Sequence, residues 1–414
     1  MLARHGDTGR PVIRRGIAWA ATTALVGAAS MAAIVGSLGA GGAAGSAGPG
    51  RGAPHGTRLA ATTCTGPTGT LFVAEAGYDA LGVIDTATCA YTATDNVGDP
   101  PASNQTTDIN YSSTDEAVAV DGSDLYIADA GASTVAVIDI ATLATLPATD
   151  YTPPEMLINV GFFPEDLAVT PNGSQVWVAD TGPQTGATSN GEPSYGQGGA
   201  QPQKGGTPFT AVSVITASTK TVVGTIPLTA APQEIAFSPN GQLAYVTTPS
   251  DLVVIDVASR RVVGQVSGLQ NPHGIAVSPD GSELYVTDAT SASVSVIDAH
   301  SLRVTRTISV GQMPWAVTLS STGTTAYVAN PDSDTVSVVD TTTASVVGTI
   351  SLAADPEALA LSPDGTTLWV GEGAGGAVAV IDTADGTQVG KVELGFGGPQ
   401  SGDGDEPTGL AFVG

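Results

Sequence analysis

Histidine is nearly absent from this chain. It has four in 414 residues, His5, His55, His273 and His300, too few and too scattered to build a histidine-rich zinc or copper centre. His5 and His55 lie near the N-terminus, so a Ser/His/Asp relay would have to rely on His273. Cysteine is scarcer still. Cys64 and Cys89 are the only two, and no Cys-x-x-Cys-His run exists for haem attachment. Basic residues are few: 13 against 39 acidic ones, a formal net charge of -26. Only Asp7 among the acids precedes Cys64, whereas Arg4, Arg10, Arg14, Arg15, Arg51 and Arg58 do, which leaves 38 acids against seven bases from there on. Such a surface repels polyphosphate and excludes nucleic acid as a partner. No glycine-rich strand–turn–helix phosphate cradle occurs, and beyond Leu38 no apolar run is long enough to cross a bilayer.

What the chain does have is a repeat. From Pro272 to Gly311 four short apolar runs, GIAV, ELYVT, VSVID and VTRTI, are separated by Ser-Pro-Asp-Gly, Asp-Ala-Thr-Ser and Asp-Ala-His-Ser. This is the chemistry of a four-stranded meander. The aspartate that closes the third run recurs as Asp85, Asp139, Asp256, Asp298, Asp340 and Asp382, with Thr216 in its place once, and the last four stand 42 residues apart. The runs are rich in Val and Ile on both parities, which suits strands covered on both faces. A small sheet of that kind has to stack against copies of itself. Seven such units predict an all-β, seven-bladed propeller of four-stranded antiparallel blades. The wording SPDGSELYVTD, STGTTAYVAN and SPDGTTLWVGE, followed by SVSVID, TVSVVD and AVAVID, resembles the YVTN-family β-propeller repeat. The resemblance runs from Leu71 to the C-terminus and implies the fold. It implies less about activity, because surface-layer, binding and enzymatic proteins share the repeat, lactonase-like propellers among them.

The chain enters at Thr70 on what reads as a second strand and ends, at Pro407 to Val413, on what reads as a first. The C-terminal strand is therefore expected to complete blade one. Residues 1–47, with four arginines ahead of a weakly apolar stretch and a Gly-Ser-Ala cleavage candidate at Gly45 to Ala47, read as an export signal. An uncleaved N-terminal anchor is the rival reading, and Arg14-Arg15 admits a twin-arginine route. Residues 48–63 read as a flexible tether and 64–414 as the propeller. The expected location is extracytoplasmic, secreted or in the cell envelope. There an even pair of cysteines favours a Cys64–Cys89 disulfide over two free thiols.

Strand direction assigns each loop to a rim. The Pro-x-Gly starts of first strands and the ends of second strands share one face, here called the mouth. Added segments within Asp99 to Thr114, Thr181 to Pro208 and Gly395 to Glu406 open on it, and one from Ala144 to Glu155 opens on the opposite rim. Two rings of side chains are expected at the mouth. The residue after each proline gives Asp115, Glu165, Gln233, His273, Trp315, Glu357 and Thr408, the ligand-binding candidates. The ends of the second strands give Glu75, Asp129, Asp180, Thr248, Asp288, Asn330 and Glu372. The carboxylates of the second ring, Glu75, Asp129, Asp180, Asp288 and Glu372, could ligate calcium or another divalent cation, or could instead cap backbone N–H groups. Trp315 reads as a lid or as a stacking platform. On the opposite rim Lys220, Arg260, Arg261 and Arg303, with Arg306 and Lys391 on fourth strands, read as solvated charge that discourages edge pairing. The resulting expectation is a monomeric binding or scaffold module that works through its acidic mouth face on a protein, small-molecule or glycan ligand. The alternative is a lactonase-like or lyase-like enzyme with a metal-assisted site at the channel mouth, His273 as base and Glu165 or Glu357 beside it, for which no second base is found.

Overall fold

The computed structural model describes residues 69–76, 80–94, 115–130, 133–143, 156–182, 210–373, 375–394 and 406–413. The stretches read as an export signal and a tether, Cys64, and the added segments apart from Thr181, Gly182 and Glu406 lie outside the described residues. Seven four-stranded antiparallel sheets stand in a ring. Blade five shows the plan. Its inner strand Pro272–Val277 is followed outward by Glu283–Asp288, Ser293–Asp298 and Arg303–Ser309. The Ser-Pro-Asp-Gly turn between the first two strands is closed by Asp280, whose Oδ1 accepts from Ser278 Oγ at 2.7 Å and from Ser282 N at 3.0 Å. Gly281 completes it at φ +73°, a left-handed position that an L side chain would strain.

Burial follows strand position. Second and third strands are covered on both faces, so that Ser293–Asp298 is buried except at its last residue. Outer strands are exposed except for single residues such as Val266, Ile308 and Ile350. Among the described residues every exposed large hydrophobic, from Met156 to Val347, lies on an outer strand. The core is seven clusters, one in each seam between neighbouring blades. Trp177 of blade three meets Phe237 of blade four edge-on at 5.4 Å in one seam, and Trp369 of blade seven meets Phe412 of blade one at 6.2 Å in another.

The ring is closed by its own tail. Glu406–Val413 is the innermost strand of blade one and pairs with Thr70–Ala76, Thr70 opposite Val413 and Leu71 opposite Phe412. Beside it, Cys89 is disulfide-bonded and 7 % exposed in the seam between blades seven and one. The chain's only other cysteine is Cys64. Closing a loop of this size contributes about 3 kcal/mol in the chain-entropy model. Reduction is therefore expected to lower the melting temperature by roughly 5–10 °C. Coincident thermal melts with and without reductant would contradict that.

The basic residues do more than guard edges. Lys220 Nζ reaches Asp124 Oδ1 at 3.0 Å and ties blade three to blade two. Arg260 Nη1 donates to Val223 O at 2.9 Å, tying blade four to blade three. Arg306 Nη1 donates to Thr341 O at 3.0 Å, tying blade five to blade six. The expectation of purely solvated charge is corrected for these three. Their long side chains cross the seam to carbonyls and a carboxylate of the neighbouring blade.

Candidate functional site at the channel mouth

The inner strands of blades one, two, three, five and seven carry a bulge near their start. Pro164 pairs with Asp180 and Asp166 with Ala179, so Glu165 is set out of the ladder. Pro356 and Ala358 flank Glu357 in the same way, and His273 sits between Pro272 and Ile275. A bulge re-aims the side chain it carries. In blade two the register differs from the expectation. Asp115 pairs with Asp129, the slot that Pro164, Pro272 and Pro356 hold elsewhere, and the shift lies between Asp115 and Ala117. By backbone register the residue between the two paired positions is Glu116, where alignment of the repeats places Asp115.

Around the ring, Glu165, Gln233 and Glu357 are half-buried. Burial pushes the Glu165 carboxyl up to about 8, against a hydrogen bond from Thr181 that holds it down. Glu357 lies against Gly373, where a Cβ would stand 2.8 Å from its carboxyl carbon. Thr408 is buried and donates to Ala74 O at 2.9 Å. Trp315 is not an exposed platform. It is 4 % exposed and stacked on His273, ring centres 3.5 Å apart and planes 26° from parallel. Burial alone pushes His273 down to about 3, so its ring is neutral at physiological pH. No carboxylate among the described residues acts on it.

Two further acids belong to this site, and sequence reasoning missed them. Asp166 and Glu234 are 0 % and 2 % exposed. Asp166 Oδ2 accepts from Ile235 N of the next blade at 2.7 Å, and Glu234 accepts from the N–H of Ile275, one blade further on. Burial pushes Asp166 up to about 7 and Glu234 well above the usual carboxylate range, the charge of Asp166 adding to the latter. The signal was present one column along. The residue after the ring position is Ala117, Gly274, Ala316, Ala358 or Gly409 in the other blades, and Gly274 needs to be small because a Cβ would meet Trp315 O at 2.3 Å. Only blades three and four carry acids there.

Among the described residues, a run of polar atoms across blades three to six is buried without a hydrogen-bond partner: Asp166 Oδ1, Gln233 Oε1, Glu234 Oε2, His273 Nδ1 and Trp315 Nε1. Native interiors leave few such groups, and each costs about 1–3 kcal/mol when unmet.

The second ring is used differently. Asp180 accepts from Ser213 Oγ at 2.6 Å and from the backbone N–H of Gly161, and burial pushes it up to about 7. Asp288 accepts from Gln270 N at 3.0 Å, and Glu372 from Ala353 N at 3.2 Å and from Lys391 at 3.2 Å. Glu75 accepts from the Tyr91 hydroxyl at 2.6 Å. Asn330 donates to Val328 O, Thr335 O and Ser337 Oγ, and Thr248 to Asp251 O. Asp129 is 2 % exposed. Asp180, Asp288 and Glu372 thereby tie the loop entering a blade to the strands within it, while Glu75, Asn330 and Thr248 bond within their own blade. Gly161 and Gly311 allow the approach, since a Cβ at either would stand 2.4–2.6 Å from Asp180 or Asn330. Among the described residues no three His, Cys, Asp or Glu side chains come together as a metal ion requires. The second ring therefore does not fit a calcium centre.

The fold and the ringed mouth define a seven-bladed β-propeller. A family model described as YNCE-like beta-propeller matches residues 275–387. Among solved structures, one of a functionally unknown protein from Desulfotomaculum acetoxidans superposes with a TM-score of 0.60 at 17% identity, covering 80% of this chain and 98% of that one. Kuenenia stuttgartiensis hydrazine synthase superposes with a TM-score of 0.54 at 18% identity, covering 76% and 95%. At these identities the likeness is one of fold. A comparison with curated protein sequences finds no match.

Proposed function

We propose that the protein is a monomeric binding module working outside the cytoplasm, which receives a polar ligand or a partner's polar side chain at the mouth of its channel. The observation that carries this reading is the arc of unmet buried polar atoms on blades three to six, set beside the half-buried Glu165, Gln233 and Glu357. A bound group with its own donors and acceptors would satisfy them. The carboxyl groups gathered at the mouth favour a group there that is neutral or cationic. His273 does not support the lactonase-like or lyase-like alternative, because its ring is buried and stacked where a base needs to reach substrate.

The test is capture on the immobilised full chain from culture supernatant and cell-envelope extract, with Glu165→Leu and Gln233→Leu beside the native protein. A ligand retained by the native chain and reduced at least tenfold by either variant is expected. Equal retention by all three would move the binding surface elsewhere.

A further inference from the structure

On the face opposite the mouth a cleft of ≈ 600 Å³ opens between blades three and four. Its surroundings are unusual for so acidic a chain. The turn residue that is Asp280 in blade five and Asp364 in blade seven is an amide in both blades here, Asn172 and Asn240. Hydrogen bonds from Ser278 and Ser282 hold the Asp280 carboxyl down at about 2, so that position is ordinarily charged. The Asn172 and Asn240 oxygens take up the same bonds, from Ser174 N and Gln242 N at 3.0 Å each. The turn is preserved and the negative charge is gone. Gln175 and Gln242 also line the cleft. Gln175 Oε1 is occupied by the Trp177 indole N–H at 3.0 Å, which leaves its NH₂ group free.

Arg260 supplies the positive charge. It occupies the left-handed slot at the end of the turn, φ +55°, from which its guanidinium crosses to blade three and lies over Gly224, where a Cβ would stand 2.6 Å from Nη1. One N–H is bound to Val223 O, and a guanidinium has five. Among the described residues no carboxylate pairs with it, in contrast to Lys220, Arg306 and Lys391. The one acid on the cleft wall, Asp256, is engaged by Ser259 N and Oγ at 2.7 and 2.6 Å. Pro171, Pro239 and Val257 give the cleft an apolar side.

We propose that this cleft binds a small organic carboxylate carrying hydroxyl groups, of the hexuronate class. The carboxylate would pair with the unpaired Arg260 in the forked geometry that guanidinium favours. The hydroxyls would accept from the amide NH₂ groups of Asn172, Gln175 and Gln242, and the C–H face of the ring would lie on the prolines. The volume suits one or two sugar rings. The source of the carboxylate is either a free sugar acid or a residue of a polyuronate chain.

The experiment is a calorimetric titration of the full chain with D-glucuronate and, separately, with a galacturonate oligosaccharide, glucose serving as the uncharged control. Saturable binding with a Kd on the order of 1 mM is expected, with none for glucose. Binding by the monosaccharide identifies a free acid as sufficient, and binding by the oligosaccharide alone identifies the polymer. Arg260→Gln is expected to weaken binding at least tenfold. The double variant Asn172→Asp with Asn240→Asp is expected to do the same with an unchanged melting temperature, because it installs the residue that blades five and seven carry in the same turn. Titration unaffected by either variant, glucose binding as tightly as glucuronate, or no binding of either acid at ten times the expected Kd would overturn the proposal. None of these results bears on the channel mouth, which lies on the other face.

Discussion

Removing residues 406–414 is expected to abolish the cooperative melt of the whole propeller rather than to loosen one edge. The strand Glu406–Val413 serves two seams at once. Leu410 and Phe412 pack with Trp369, Val378 and Leu71 between blades seven and one, while Ala411 and Val413 pack with Phe72, Val118 and Ile127 between blades one and two. It also supplies the inner-strand partner of Thr70–Ala76. Without it blade one has three strands, two apolar seams face solvent and an unpaired strand edge is left beside them. Burying one large apolar side chain is worth about 1.5–3 kcal/mol, so losing several at once approaches the ~5–15 kcal/mol that holds a typical domain together. The measurement is calorimetry on the intact and shortened chains. A single substitution gives a graded version: Leu410→Ala, at a side chain 2 % exposed, is expected to cost about 2–5 kcal/mol. A shortened chain that melts at the native temperature with native enthalpy would show that the tail is not a closure.

Why the closure was legible while part of the site was not comes down to what the repeat encodes. Period and turn chemistry are local. Ser-Pro-Asp-Gly demands a left-handed glycine, and Asp298 demands a capped turn whether or not the neighbouring blade is known, so strand order and blade number can be read from Asp85 to Asp382 alone. The tail's role followed from matching its wording to a first strand. The direction of a side chain at a seam is not local. Asp166 and Glu234 differ from Ala316 and Gly409 only in a column that no sequence rule marks as special. Their function, capping the backbone of the next blade, exists only once the ring has formed. The same holds for Arg260, which is a charged turn residue in sequence and a bridge across a cleft in space. Trp315 could be assigned to the mouth but not to burial, because its cover is His273 from the adjacent blade. Asp115 was misplaced by one residue because alignment leaned on a proline that blade two lacks.

Raising the pH from about 5 to about 8.5 is expected to destabilise the protein, by several kcal/mol in all. Four carboxyls, Glu165, Asp166, Asp180 and Glu234, are pushed up by burial, the first three to about 8, 7 and 7. In the unfolded chain they ionise near 4. Between those limits the folded state holds protons that the unfolded state has released, so stability is full below the unfolded values, falls as pH rises, and levels off above the folded ones. Each unit of displacement corresponds to about 1.4 kcal/mol, an upper bound where the surroundings relax. His273 acts in the opposite sense: its folded value near 3 costs stability as pH drops below about 6.5. One group against four reduces the slope in the acid half of the range and leaves the neutral-to-alkaline half untouched. The measurement is the melting temperature across that range for the native chain and for Asp166→Asn with Glu234→Gln. Each amide keeps an oxygen to accept from Ile235 N or Ile275 N while removing the titration, so the variant profile is expected to be flatter and to cross above the native one near neutral pH. Parallel profiles, or a native protein that gains stability towards pH 8, would mean that these acids are already ionised and matched in the folded ring.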